Sequence, residues 1–515
     1  MAISPYFRFP IYAWLLPLLP AAQITASNMD RAAASDGLGT GLAFLGIYLC
    51  LMFLLRRVFR KPQLTDLILA IVYCAVVLPI MFFGPGNSKL IWAAVWTALL
   101  IVVFRWQEPR RLLPIPLTVG SVMLAGSFAW TVATSPVWSS RPALLQATAS
   151  AFDMVPPATS EPFEKPDIYY FIFDRYHRND YLKKIYGFDN QPFLDELRKR
   201  GFFIADQAYS NYQRTAHSVV SSLNFDYLDR LDTADTKGKS DWYPIFNMFQ
   251  DFRIGRVLKS FGYEVHFSGT WWEPTRRIAI ADQNHNFFEM PEMPRVIYEY
   301  SLLVDAARFL GLRMADPLYW QCQRSRLMFE DIRNREPGAK PKFHFAHFLI
   351  PHPPFVTHES GRCMESAEAL KRTRSQNYIG QMKYANEQIL ATVDQLLARP
   401  GPKPIIILQA DEGPWPEKFA GDEVTALGRD VSSVNWLKAT PEELREKMAI
   451  FSAIYAPRLP LSDFTARMSP VNTFRIILKY YFNVPIEPLP DRNKIYLDNG
   501  NLYTFKDVTE ILYGP

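Results

Sequence analysis

The 515-residue chain carries 56 Lys and Arg against 51 Asp and Glu, a net charge of +5. So small an excess over this length, with no basic stripe interleaved with aromatics, excludes a nucleic-acid binder held by electrostatics. Charge is also unevenly spread: it is sparse up to about residue 135, and the remainder has the composition of a water-soluble protein.

Five hydrophobic segments lie near 9–26, 38–55, 65–84, 90–104 and 114–134. Most approach the roughly 20 residues that cross a bilayer core. Pro10, Pro17 and Pro20 interrupt the first. A cleaved signal peptide is the alternative there, but its basic start would be Arg8 alone and further segments follow. Arg56, Arg57, Arg60 and Lys61 follow the second segment; Arg105, Arg110 and Arg111 follow the fourth. Basic loops stay in the cytoplasm, which places both there and everything after the fifth segment outside. Cys50 and Cys74 fall within apolar segments, while Cys322 and Cys363 fall in the outer part, where an oxidising compartment permits a disulfide. Their spacing leaves the pairing open, and no metal-type cysteine spacing occurs.

A Pro/Ser/Ala-rich stretch at 136–166 reads as a tether. Beyond it, strand-like and helix-like segments alternate from 167 to 515. Ile168–Asp174 and Ile405–Asp411 are short apolar runs that each stop on an acidic residue, the pattern of strands buried on both faces. Phe202–Ala205, Tyr263–Ser268 and His344–Ile350 also read as strands. Phe193–Lys199, ending at Gly201, and Asn377–Leu397 read as helices. The expected fold class is α/β: a central, mostly parallel sheet covered by helices on both faces, behind a five-helix transmembrane region. A smaller carboxyl-terminal piece begins at about 465.

Carboxylates at the carboxyl ends of such strands sit where open α/β sheets bind ligands. Asp174 and Asp411 are therefore candidate metal ligands; their structural alternative is a helix cap or a turn. Glu412 reaches the same ion if Gly413 lets the chain turn sharply. Thr215 is placed as a helix N-cap, where the dipole and a neighbouring metal would activate its hydroxyl as a nucleophile. Ser218, inside the first turn, is less well placed. His352, between prolines at a strand end, suits a donor to an anionic group, and His347 within that strand is a further candidate. Trp271, Trp272 and Arg276 follow a strand and are positioned to line a head-group cleft, with surface packing as the structural reading. Oxygen ligation by Asp174, Thr215, Asp411 and Glu412 suits one divalent ion, with Mn, Zn, Mg and Ca all open.

These residues, in this order, resemble the alkaline phosphatase/sulfatase superfamily, and most closely its membrane-bound sulfatase-like branch, which includes lipoteichoic acid synthase and the phosphoethanolamine transferases. The resemblance runs over roughly 167–480. It rests on the Asp174 strand, Tyr186–Asn190, Ser210–Thr215, Ser221–Asn224, Pro351–Phe355, Asp411–Gly413 and Asn472–Arg475. It implies that Asp174, Thr215, Asp411 and Glu412 form the metal site, that Thr215 is the nucleophile and that His352 contacts a phosphate-like group. Two departures matter. The family usually has Asp-His-Gly where this chain has Asp411-Glu412-Gly413. No Cys or Ser followed two residues later by Pro and then Arg surrounds Thr215, so formylglycine-dependent sulfate hydrolysis is disfavoured. The resemblance therefore implies a transferase of the bacterial inner membrane, its catalytic domain in the periplasm or outside. It would move a phosphoryl-linked head group from a membrane lipid donor to a glycan or lipid acceptor through a covalent threonine intermediate. The alternatives are an ester hydrolase on the same scaffold and a degenerate envelope-binding protein.

Overall fold

The computed structural model describes residues 9–82, 88–106, 112–152, 158, 164–336, 338–416, 435–460 and 463–514. The chain forms two compact units: 1–139 with 290–317, and 140–289 with 318–515.

The first unit is helical. Ala34–Phe59 and Pro114–Ala133 are long and apolar enough to cross a membrane, with mean hydropathies of 2.2 and 1.5, while Ile11–Ser27, Pro62–Val76 and Ile91–Arg105 are apolar but shorter. Asp36 in the first turn of Ala34–Phe59 and Arg56 and Arg57 in its last complement the helix dipole. Pro62, which has no N–H to leave unsatisfied, opens the next helix. Buried Arg56 donates to both oxygens of Asp66, at 2.6 and 2.5 Å, and ties these two helices together beside the basic loop. Arg110 and Arg111 lie outside the described residues.

The expected tether is partly helix, over Val137–Ser150. The run Ala143-Leu-Leu-Gln-Ala is made of good helix formers, and Arg141 is pinned by both oxygens of Asp241 at 2.8 Å and by the Tyr243 ring. Residues 153–157 and 159–163 lie outside the described set.

The second unit is built on β1 (Ile168–Phe173), β2 (Phe203–Ile204), β3 (Glu264–Ser268), β4 (Gln283–His285), β5 (Lys342–Phe348), β6 (Ile405–Ala410), β7 (Ser452–Tyr455), β8 (Lys494–Tyr496) and β9 (Phe505–Asp507). Seven of these form one sheet in the order β2-β7-β6-β1-β5-β3-β4. The run from β6 to β4 is parallel; β7 and β2 are added antiparallel. Every residue of β1, β5 and β6 is buried. Successive side chains point to opposite faces, so β1 and β6, covered on both, show no polar alternation. Ile168, Tyr170 and Ile172 enter one core with Ile405 and Ile407, and Tyr169, Phe171 and Phe173 enter the other with Ile406 and Leu408. Phe173 is in register with both Phe348 and Ala410, so the three strands end level and present Asp174 and Asp411 at one edge. The helix Pro470–Phe482 and the β8–β9 hairpin share the first of these cores and belong to this unit.

Candidate metal centre

Directly after β1, Arg175 adopts a left-handed conformation at φ 60°. Such a conformation in a non-glycine residue costs on the order of 1–3 kcal/mol and persists where the surroundings over-determine it. Two bonds do so here: the Arg175 N–H donates to Asp411 Oδ1 at 2.9 Å, and its carbonyl accepts from Tyr378 Oη at 2.8 Å. The turn thus binds the end of β1 to the end of β6.

Asp174, His347 and Asp411 are all buried, and one ligand atom from each lies within 4.8 Å of the others. His347, on β5, shares a hydrogen bond between Nδ1 and Thr275 Oγ1 at 3.0 Å, which turns Nε2 toward Asp174 Oδ2, 3.6 Å away. Burial lowers the His347 pKa to about 4, against an opposing pull from Asp411, so the ring is neutral and fit to ligate. Burial, then Asp174, then Glu412 push the Asp411 carboxyl well above the usual range; His347 and then the nearby Thr215 hydroxyl pull the other way. Asp411 Oδ2 and His347 Nε2 have no hydrogen-bond partner among the described residues. Two such atoms converging beside a second carboxylate fit a divalent cation, with an oxygen-plus-imidazole donor set.

Thr215 is the first residue of the helix Thr215–Leu223, not its N-cap. The cap is Arg214, whose backbone stays extended because the preceding residues are held: Tyr212 bridges Lys494, and Gln213 Nε2 donates to the Tyr496 carbonyl at 2.9 Å. The Thr215 hydroxyl still sits at the positive end of the helix dipole.

Glu412 is placed differently from the expected metal ligand. Its Oε1 accepts from Lys447 Nζ at 2.6 Å and lies 3.5 Å from Arg175 Nε, while Oε2 has no hydrogen-bond partner among the described residues. Lys447 is fully buried, donates also to the Gly413 carbonyl at 2.9 Å and stands 4.8 Å from the centre of the Trp415 ring. Burial lowers the Lys447 pKa, and Glu412 raises it. An ammonium thus meets the oxygen that the metal assignment gave to an ion. Gly413 is needed for space rather than for a turn: a Cβ there would meet the Glu446 carbonyl at 2.5 Å.

The remaining candidates are more dispersed. Trp272 packs edge-on against Phe246, Phe249 and His347. Arg276 is held in ion pairs by Glu273 and Glu289. His352 is half-buried in the Pro-rich loop after β5, where its carbonyl accepts from Gln381 at 3.0 Å. The structure therefore gathers Asp174, Thr215, Asp411, Glu412 and His347, with Trp272 against the last. Sequence reasoning missed Arg175, Thr275, Lys447 and Arg214, whose guanidinium lies 5.0 Å from the Trp415 ring. Only Arg175 carried a signal, its adjacency to Asp174.

Among curated proteins none matches the chain. Several solved structures are similar to it. The C-terminal periplasmic domain of EcEptC from Escherichia coli is 15% identical over 70% of this chain and 98% of that one, with a TM-score of 0.44. Lipooligosaccharide phosphoethanolamine transferase A (EptA) from Neisseria meningitidis is 12% identical over 92% and 94%, at 0.39. The lipoteichoic acid synthase LtaP from Listeria monocytogenes is 13% identical over 72% and 81%, at 0.38. The Sulfatase family matches residues 166–446, more than half of the chain and all of the strand ends that build the centre. The chain belongs to the sulfatase family of enzymes.

Proposed function

We propose that this chain is a membrane-anchored transferase. It moves a phosphoryl-linked head group from a lipid donor to an envelope glycan or lipid acceptor through an adduct on Thr215. The observation that carries the reading is the buried cluster of Asp174, His347 and Asp411, with the Thr215 hydroxyl near Asp411 at a helix N-terminus. Asp174, Asp411 and His347 would hold one divalent ion, with Glu412 Oε2 as a further oxygen. When bound, the ion would lower the Thr215 pKa and offset charge on the phosphoryl oxygens.

In the first half-reaction the Thr215 oxygen bonds to phosphorus as the donor's ester bond to its glycerol oxygen breaks. The diglyceride leaves with the proton. In the second, an acceptor hydroxyl bonds to phosphorus, the Thr215–phosphorus bond breaks and the proton returns to Thr215. His352 is retained as a donor to the non-bridging oxygens, as the family resemblance implies. Threonine at the nucleophile position favours phosphorus over sulfate esters, whose usual enzymes need a Cys or Ser precursor there. The two long apolar helices support membrane anchoring, and a five-span topology with an outer catalytic unit accommodates them. The Cys322–Cys363 disulfide fits an oxidising compartment.

The test uses the full-length protein with Mn²⁺ or Zn²⁺ and a phospholipid extract. Intact-mass spectrometry is expected to show a metal-dependent increment on Thr215, absent in Thr215→Ala, whose turnover falls at least about 10³-fold. Unchanged turnover in Thr215→Ala with the fold intact would overturn the reading. Turnover without glycan or lipid product would assign the same centre to hydrolysis.

A further inference from the structure

The stretch Met290–Pro317 lies between β4 and β5 in sequence but belongs to the helical first unit. It contains the helices Glu292–Tyr300 and Leu302–Phe309 and a short turn at Arg313–Ala315. Met293 and Ile297 are buried with Ala21 and Val77 and pack on Ile24, Phe44 and Ile80. These partners share a location. Ile24 is near the end of one apolar helix, Phe44 is in the first half of Ala34–Phe59, and Val77 and Ile80 follow Pro62–Val76. All lie away from the Arg56–Asp66 pair and the basic loop beside it. A second tie is polar: Lys89, at the start of the helix Ser88–Arg105, bonds Asp305 at 3.2 Å and faces the Tyr300 ring at 5.9 Å.

Five large apolar side chains on the rest of this stretch are exposed. Val304 and Ala307 are buried, whereas Leu303, Phe309, Leu310, Leu312 and Met314 are 50%, 90%, 66%, 53% and 65% exposed. Large apolar side chains grouped this closely mark a surface that meets something other than water. Their neighbours in the same unit say what that is. Leu38 and Leu42, in the same half of Ala34–Phe59 as Phe44, are also exposed and belong to the apolar face that a membrane helix turns to lipid. The exposed stretch follows the helix Glu292–Tyr300, whose Met293 and Ile297 pack with Phe44 of that same half. A short helix with a buried apolar side, an exposed apolar side, Arg308 in its last turn paired with Asp316, and Arg313 just beyond suits the boundary between head groups and acyl chains.

We propose that Met290–Pro317 is an interfacial anchor that embeds Leu303, Phe309, Leu310, Leu312 and Met314 in the lipid leaflet opposite the Arg56–Lys61 loop. The proposal rests on the membrane reading of the first unit. It adds to that reading two further covalent attachments of the catalytic unit to the bilayer, at Glu289–Met290 and Pro317–Leu318, besides the one at Ser139–Ser140.

The test uses full-length protein with Cys50→Ala and Cys74→Ala, reconstituted in phospholipid vesicles containing brominated acyl chains. A nitrobenzoxadiazole probe is attached in turn to Phe309→Cys, Leu312→Cys, Ile47→Cys on the long helix and Lys237→Cys on the catalytic unit. Each of these positions is exposed, so the fold is expected to tolerate the label. The expected result is loss of emission at Phe309, Leu312 and Ile47 with none at Lys237. Quenching at Ile47 without quenching at Phe309 and Leu312 would overturn the anchor and leave the membrane reading standing. No quenching at Ile47 would overturn both.

Discussion

Buried Lys447 shows what a single charge does at this centre. It faces Glu412 at 2.6 Å with no water access, and Arg175 stands 3.5 Å from the same Glu412 oxygen. Lys447→Met is expected to cost up to about 3–5 kcal/mol of stability, because buried Glu412 loses its closer partner and keeps only Arg175, 3.5 Å away. The double variant Glu412→Gln/Lys447→Met should recover a large part of that loss in denaturant unfolding. No residue pattern announced this role: Pro441–Met448 opens with a Thr440–Glu443 capping box and reads Pro-Glu-Glu-Leu-Arg-Glu-Lys, a solvated helix. Two other buried residues set an acid limit. Burial lowers the pKa values of His177 and His217 to about 3, from an ordinary 6.5, so both are neutral in the fold. Below pH 6.5 the unfolded chain takes up their protons and the fold does not. Stability therefore falls between about pH 6.5 and 3, by up to roughly 1.4 kcal/mol per pH unit for each histidine. Thermal unfolding across that range should show the slope, and His217→Gln should flatten it whatever its effect at neutral pH.

At the level of elements, the centre depends on three parallel strands ending level. β1 and β6 could be read from the chain because both of their faces are buried, which leaves no polar alternation to confuse the period. β7 was missed, being four residues long and preceded by no turn signal. Asp174 and Asp411 were legible as strand-end carboxylates. The part of His347 was only half legible, since its direction is set by Thr275, a residue of the irregular stretch after β3. That stretch also carries Trp272 and Arg276, and its ion pairs with Glu273 and Glu289 hold Thr275 in place from one side. Thr275→Val keeps the shape and removes the hydrogen bond. Metal affinity, measured by competition with a chromogenic chelator, is expected to fall about 10–100-fold with little change in unfolding temperature. An unchanged affinity would remove His347 from the ligand set.

For the whole molecule, the division of the chain does not follow sequence order. Charge and hydropathy located the apolar first part, but Glu292–Tyr300 and Leu302–Phe309 look like ordinary amphipathic helices of a soluble domain. Only their packing on Ala21 and Val77 reveals where they belong. Phe309→Asp/Leu312→Asp is therefore expected to lower turnover of lipid in vesicles by roughly tenfold while a short water-soluble phosphodiester is turned over as before, because positioning rather than chemistry is lost. Equal loss on both substrates would place these residues in the catalytic machinery instead.

Within the second unit, the segments that precede and follow Met290–Pro317 lie side by side. Phe288 and Trp320 stack with centroids 6.4 Å apart, and Arg324 donates to the carbonyls of Phe287 and Phe288 at 2.9 Å. The Cys322–Cys363 disulfide fastens the returning helix beside it. Chain ends held this close together make the stretch a removable module. A water-soluble fragment starting near residue 150 would carry it stripped of its helical partners and should self-associate. The same fragment with 291–316 replaced by a short Gly/Ser linker should run as a monodisperse monomer and retain its metal.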